Sequence, residues 1–309
     1  MPTLPVPPEL IIITKAIAKS KGRCILVGGA VRDHCMGRNI SKDLDVEIFG
    51  MTPEVLESVL QKFGDVHAVG KSFGVLKLKT SLADYDFSLP RSERKMGKGH
   101  RGFLVTTDST MSYKKAASRR DFTVNSIGYD VLTQELLDPF DGLRDLKRKI
   151  LRHIGTSFAE DPLRVLRAMQ FSARLEFKIA PDTVKLCRQL DLEELSRERI
   201  FEEFQKLLLK AKRPSIGLEA ANNLGILAYF PELKALIGVP QDPEWHPEGD
   251  VWTHTLLVMD EAAGLRKCDD KQDLELMFAA LCHDFGKPVT TEFIRGRWRS
   301  PAHDIEGIA

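Results

Sequence analysis

The residues with the plainest chemistry are Asp43 and Asp45, in the stretch ILVGGAVRDHCMGRNISKDLDVEIF from Ile25 to Phe49. Alternate side chains of a strand share a face, so the two carboxylates point one way while Leu44 and Val46 point into a core. Neighbouring carboxylates repel unless a cation lies between them, and Mg²⁺ takes such oxygen ligands together with substrate phosphates. Gly28 and Gly29 lie upstream, followed by Arg32 and Asp33. A glycine pair lets backbone N–H groups come close to phosphate. A phosphate cradle followed by a metal-holding Asp pair is the minimal equipment for nucleotidyl transfer. A lone D-x-D is also how a solvated acidic strand end reads. The G-G-x-x-R-D arrangement ten residues ahead of it is far more specific. The stretch is neither a dinucleotide fingerprint, since G-x-G-x-x-G is missing, nor a P-loop, since no G-K-[ST] follows.

The elements that position these groups are legible in outline. Residues 1–9 hold four prolines and read as an extended lead-in, followed by a helix over 10–19. Ile25, Leu26 and Val27 form a buried strand, then comes a short helix carrying Arg32, then the acidic strand. Thr52-Pro53 opens a helix with Val55, Leu56, Val59, Leu60 and Phe63 on one side. Residues 74–80 alternate as a strand, and a second strand at 84–89 brings a third acid. Asp86 is favoured over Asp84 because it directly precedes a basic segment and Phe87 can anchor the opposite face. Residues 91–120 carry nine Lys or Arg against two acids. This segment reads as a loop, either solvated surface or a mobile contact to triphosphate and RNA backbone. Its end, Arg119-Arg120-Asp121-Phe122-Thr123-Val124-Asn125, suits phosphate contact plus hydroxyl recognition. DPFDGLRDLKRKIL at 138–151 reads as a turn and a strand closing the domain.

From Ala159 the pattern turns helical, with Asp161, Arg164 and Arg167 at i, i+3 and i+6 on one face. A solvated charged face is the ordinary fate of such spacing. The functional alternative rests on base chemistry. Cytosine and adenine both show an amino donor beside a ring-nitrogen acceptor, whereas uracil and guanine show a carbonyl beside an N–H. A carboxylate accepting from the amino group, next to a guanidinium donating to the ring nitrogen, fits C and A and rejects U and G. Further helices are expected at about 181–190, 197–211 and 215–228.

The last segment holds His246 and His254 in HPEGDVWTHT, His283-Asp284 in LCHDFGK, and His303 beyond. Imidazoles with an adjacent carboxylate suit several divalent transition metals. The alternative is a set of separate structural histidines. Asp284-Phe285-Gly286 resembles a kinase triplet, but no companion motif accompanies it.

Composition bounds the rest. A chain of 309 residues is enough for two or more domains, and 43% hydrophobic content can build real cores. Net charge is only +1, so any nucleic-acid surface must arise from local clustering. Five cysteines form no C-x-x-C pair and read as reduced thiols of a cytoplasmic protein. The start lacks the basic region of a signal peptide, and the apolar run at 10–13 is too short to span a bilayer, so no membrane partner is expected.

LVGGAVRD, KDLDVEIF, RRDFTVN, DPFDGLRDL, EDPLRVLRA and ERIFEEFQKLL occur in the order found in class II tRNA nucleotidyltransferases, the bacterial CCA-adding enzymes, an order that bacterial poly(A) polymerases share. The chain resembles that family densely over about 23–210. HPEGDVWTHT and LCHDFGKP resemble an HD-type phosphohydrolase domain appended in many bacterial members. The resemblance implies an α+β fold in three parts. A palm head of mixed β-sheet with helices spans 1–155, an all-α neck and body 156–240, and a partial all-α HD domain 241–309. It implies that Asp43 and Asp45 bind two catalytic Mg²⁺, with Asp86 a third, weaker acid. Gly28, Gly29 and Arg32 would meet the triphosphate. Arg120 and Asp121 belong to the ribose-recognition motif, Asp161 and Arg164 would pair with the incoming base, and Arg167 would support the phosphates. His254, His283 and Asp284 would hold a second divalent metal. The implied partners are the tRNA 3′ end, CTP and ATP; the oligomeric state stays open.

The implied reaction is attack of the tRNA 3′-hydroxyl on the α-phosphate of CTP or ATP, with release of pyrophosphate. Residues 70–74, GKSFG, lack the arginine-rich segment of the poly(A) branch. A partial CC- or A-adding enzyme and a phosphohydrolase working through the histidines are the other readings. The chain ends soon after His303, where an HD domain is expected to continue to a further Asp ligand. A truncated or partial chain is therefore expected.

Overall fold

The computed structural model describes residues 4–38, 44–69, 75–80, 84–95 and 103–308. The chain forms two compact units, 1–160 and 161–309.

The first unit opens with helix α1 (Pro8–Lys19). Proline in its first turn costs no hydrogen bond, because those N–H groups have no partner within a helix. Leu10, Ile13 and Ile17 make a fully buried stripe. Strand β1 (Arg23–Val27) follows, then α2 (Gly29–Cys35), β2 (Asp45–Phe49) and α3 (Pro53–Leu60). Next come β3 (Asp65–Val69), β4 (Val75–Lys79), β5 (Asp84–Ser88), β6 (Arg91–Lys95), β7 (Phe103–Thr107) and α4 (Tyr113–Ala117). The unit ends with β8 (Gly128–Asp130), β9 (Leu136–Leu137), α5 (Gly142–Arg148) and β10 (Ile150–Leu151).

Seven strands form one sheet in the order β3-β4-β5-β2-β1-β8-β9. β2 lies antiparallel to β1 and parallel to β5, so the sheet is mixed, as expected. Its two faces differ. Leu26, Val46 and Ile48 are fully buried on one. On the other, Ile25, Val27 and Phe49 pack with Met111 and Ala116. Asp45 stands opposite Val27 and Glu47 opposite Ile25, so the acids share that second face with an apolar floor.

Two expectations fail here. The basic segment 91–120 is not simply a loop. Arg91 pairs with Thr107 and Lys95 with Phe103 in a β6–β7 hairpin, and α4 follows, capped by the Ser112 hydroxyl accepting from the Lys115 N–H. Its glycines at 97, 99 and 102 lie outside the described residues. GLRDLKR is helix α5 rather than strand. The Asp138 carboxylate accepts from the Gly142 and Leu143 N–H groups at 2.6 and 2.9 Å and so satisfies the helix start. Only the two residues of β10 are extended.

The second unit is mainly helical. It contains α6 (Leu163–Leu175), β11 (Lys178–Ile179), α7 (Pro181–Cys187), α8 (Arg197–Lys210), α9 (Pro214–Leu224) and α10 (Pro231–Ala235). α11 (Val251–Gly264), α12 (Asp270–Cys282), α13 (Lys287–Thr290), a small hairpin of β12 (Glu292–Ile294) and β13 (Arg297–Arg299), and α14 (His303–Glu306) complete it. Gly217 brings α9 close to α8, since a Cβ there would sit 2.4 Å from Leu207 Cδ1. No helix among the described residues is long and apolar enough to cross a membrane.

Candidate active site

Gly28 turns the chain from β1 into α2 at φ 74°, a conformation that glycine adopts without steric cost. A Cβ there would lie 3.2 Å from Asp45 Oδ2 and 3.9 Å from Arg120 Nη1. The glycine therefore leaves an open cradle between a carboxylate and a guanidinium. Asp45 is exposed at the start of β2. The β2–β5 register sets Asp86 directly beside it, so the two acids share a face. Asp86 also meets Lys77 Nζ at 3.5 Å. Carboxylates held this close by strand pairing suit an oxygen-ligated divalent cation. Asp43 lies outside the described residues.

Arg32 does not stand open to solvent. It is 4% exposed. Its Nη1 donates to Asn125 Oδ1 at 2.8 Å, and its Nη2 meets Asp33 Oδ1 at 2.8 Å. Asn125 in turn donates to Asp121 Oδ1 at 2.9 Å, and that oxygen also accepts the Phe122 N–H at 2.7 Å. Arg32 and Asp121, expected at triphosphate and ribose, thus join one buried network that reaches Gly29, where a Cβ would lie 3.6 Å from Arg32 Nη2. Arg120 is more accessible, and its Nη2 contacts Glu47 Oε2 at 3.2 Å. Sequence reasoning passed over Glu47 and Asn125, although the same alternation that pairs Asp43 with Asp45 also selects Glu47.

In the second unit Asp161 precedes α6 rather than lying within it. Its Oδ1 accepts the Leu163 N–H at 3.1 Å, fixing the helix start. The ion pair is made to Arg199 on α8, whose Nη2 donates to both carboxylate oxygens at 3.1 and 2.9 Å. The Arg164 N–H meets the Asp161 carbonyl at 3.0 Å, so these two residues are adjacent through the main chain. The Arg167 guanidinium lies 5.2 Å from the centre of the Phe171 ring. Arg199 was missed because it joins Asp161 only through tertiary packing of α8 on α6.

The histidines of the C-terminal segment do converge. His254, His283 and Asp284 bring ligand atoms within 4.8 Å of one another, as do His246, Glu248 and His254. His303 Nε2 stands 3.7 Å from Asp284 Oδ1. Asp284 is 1% exposed. Both its oxygens are buried without a well-aligned hydrogen bond, although His283 Nε2 and Lys287 Nζ come within 3.2 and 2.8 Å of Oδ2. Burial alone would raise this acid, but the nearby His283 and Lys287 outweigh it and push the carboxyl down to about 2. Burial lowers His254, favouring the neutral imidazole that metals bind. His254 Nδ1 lies 2.7 Å from Glu248 Oε1, an arrangement that orients a ligating histidine. Buried carboxylate oxygens aimed at imidazoles fit a divalent cation.

A mixed sheet with paired acids and a glycine cradle, followed by helices, defines a nucleotidyltransferase-type head with a helical extension. Residues 24–152 match the family model of the poly(A) polymerase head domain. Residues 176–237 match that of the probable RNA and SrmB-binding site of polymerase A. The chain is 42% identical over 294 residues to a multifunctional CCA protein of Xylella fastidiosa strain 9a5c, covering 92% of this chain and 67% of that one. A multifunctional CCA protein of Stenotrophomonas maltophilia strain R551-3 is 43% identical over 274 residues, covering 86% and 64%. Among solved structures, a tRNA nucleotidyltransferase complexed with a primer tRNA and an incoming ATP analogue matches at TM-score 0.59 and 29% identity, covering 86% of this chain and 80% of that one. A tRNA-processing enzyme in an apo form matches at TM-score 0.60 and 28% identity, covering 90% and 76%. The chain belongs to the family of CCA-adding tRNA nucleotidyltransferases and bacterial poly(A) polymerases. It spans about two thirds of the length of the curated relatives it matches.

Proposed function

We propose that this chain is a template-independent tRNA nucleotidyltransferase that adds C, C and A to tRNA 3′ ends from CTP and ATP in the cytoplasm. The observation that carries the reading is Asp45 beside Asp86 on parallel strands, facing an open glycine cradle flanked by Arg120. Asp43, Asp45 and Asp86 would hold Mg²⁺. Bound there, the metal supplies charge that activates the attacking hydroxyl and steadies the leaving pyrophosphate. Gly28 and Gly29 admit the triphosphate close to the main chain. Arg120 offers its guanidinium to phosphate or ribose, while Arg32, Asn125 and Asp121 hold the floor beneath it rigid. Asp161 and Arg164 read the base, and Arg167 adds positive charge for phosphate. In such a reaction the protein contributes position and charge.

A second activity is supported by the buried, unsatisfied carboxylate of Asp284 among His254, His283 and His303. These residues would bind a divalent metal and serve a phosphohydrolase reaction in an HD-type segment spanning 241–309.

The test is incubation with tRNA lacking its last three nucleotides, Mg²⁺ and α-labelled CTP, ATP or both, with products resolved nucleotide by nucleotide. Two C and one A, then a halt, is the expected result. A long ladder with ATP alone moves the chain to the poly(A) branch. A stop at CC, or growth only on tRNA ending in CC, makes it a partial enzyme.

A further inference from the structure

We infer that Glu47 is a positioning residue for nucleotide binding, acting through Arg120; the inference rests on the nucleotidyl-transfer reading above. Glu47 lies two residues beyond Asp45 on β2, on the same face, opposite Ile25. It is 8% exposed and makes its ion pair with Arg120 at 3.2 Å. A carboxylate this buried needs a partner, and a guanidinium is the partner it has.

The pair holds the guanidinium at one end. Nη2 is held by Glu47, and Nη1 is thereby aimed at the Gly28 cradle. Nε is buried with no hydrogen-bond partner, so the contact with Glu47 is what holds this guanidinium in place among the described residues. An arginine free in solution samples many rotamers, and holding one in advance removes that ordering cost from ligand binding. Position also matters for sign. Asp45 Oδ2 flanks the same glycine, and Asp86 is its neighbour in register. A loosened Arg120 would fall towards these acids and neutralise charge that a metal requires. Glu47 therefore does two things at once: it presents Arg120 to the triphosphate and ribose, and it draws the guanidinium off the acidic pair.

A merely structural ion pair would show itself in stability alone. The test measures kcat and KM for CTP and ATP, the Mg²⁺ concentration for half-maximal rate, and the thermal midpoint, in Glu47→Gln, Arg120→Ala and the double variant. The conservative Gln keeps size and hydrogen-bonding capacity and removes only the charge. Arg120→Ala establishes whether Arg120 serves the nucleotide; if its KM is unchanged, the role given to Arg120 fails first. With that role in place, Glu47→Gln is expected to raise KM about tenfold, the scale of one charge-assisted contact. It should leave kcat within a few-fold and shift the Mg²⁺ requirement upwards. Adding Glu47→Gln to Arg120→Ala should change KM no further, because the residue acts only through Arg120. An unchanged KM and Mg²⁺ requirement in Glu47→Gln overturns the inference, as do additive effects in the double variant. Should Arg120→Ala unfold because it strands the Glu47 carboxylate, the double variant, which strands neither charge, supplies the KM of a head without Arg120, and Glu47→Gln is judged against it.

Discussion

In the first unit a carboxylate holds an arginine; in the second an arginine holds a carboxylate. Both contacts are near 3 Å, Glu47 to Arg120 at 3.2 Å and Asp161 to Arg199 at 2.9 Å. Their surroundings differ. The Glu47 side chain is 10% exposed and Arg120 25%, so one member is an anchor and the other reaches out. Asp161 and Arg199 are 31% and 28% exposed, and neither is an anchor. A buried charge loses much when its partner leaves, whereas a half-buried pair gives up less. The head pair is therefore built to stay closed. In the base-reading role proposed for Asp161, its pair would exchange Arg199 for a base amino group at smaller cost. A phosphate site serves every nucleotide alike and gains from rigidity. A base-reading site of the kind proposed here, which must accept C and then A, would gain from a partner that can be replaced.

The largest effect expected in the head is from Asp45. Asp45→Asn should lower labelled CTP incorporation by about 10³-fold, the scale of losing a principal transition-state contact. Because Asp45 is exposed, the thermal midpoint should hold. Residual activity above a tenth of the original would remove Asp45 from the site.

Arg199→Met separates the two kinds of pair. It keeps the apolar stem and removes the guanidinium. Incorporation of UTP and GTP relative to CTP and ATP should rise about tenfold, a typical discrimination for one lost polar constraint. Stability should fall by about 1 kcal/mol, the upper end for partly exposed ion pairs. Denaturant titration that shows a loss as large as that of Glu47→Gln would end the distinction between closed and exchangeable pairs.

The contrast also explains what the chain reveals before it is folded. The glycine turn and Asp45 at the start of β2 are local, so spacing alone places them. Helices α1, α3 and α8 are local too and were legible as helices, although α1 starts at Pro8, inside the stretch read as extended. What escapes is whatever depends on distant packing. Arg199 reaches Asp161 only because α8 packs on α6. Asn125 reaches Arg32 across 93 positions. The Asp138 carboxylate turns DGLRDLKR into a helix where a strand is read, because its cap outweighs the extended look of the following KIL. The histidines were legible as residue types, whereas the contacts of Glu248 with His254 and of Lys287 with Asp284 were not.

A third pair sharpens the comparison by lacking a site. Asp130 is 3% exposed and Arg23 48%, the same anchor-and-reach arrangement as Glu47 and Arg120. It lies at the β1–β8 pairing, where Ile25 stands opposite Asp130. Burial raises the Asp130 carboxyl, but the Thr133 and Leu132 N–H groups and Arg23 outweigh it and hold it below the ordinary range. The sign of the linkage follows. A depressed carboxyl contributes stability that is fully present above its unfolded value, about 3.9, and is lost as pH falls through the folded value. Asp130→Asn should therefore cost on the order of 1–2 kcal/mol at neutral pH, with the gap from the original protein narrowing as pH falls below about 4. Urea titrations between neutral pH and pH 3 measure this directly. KM for CTP and ATP should not move. If Asp130→Asn raised KM as Glu47→Gln is expected to, a buried acid holding an arginine would act on the nucleotide only through general loosening of the head. The special place of Arg120 beside Gly28 would then count for nothing. A gap that closes with acid while KM stays fixed shows instead that the same pairing stabilises in one place and positions in another, according to what lies within reach of the guanidinium.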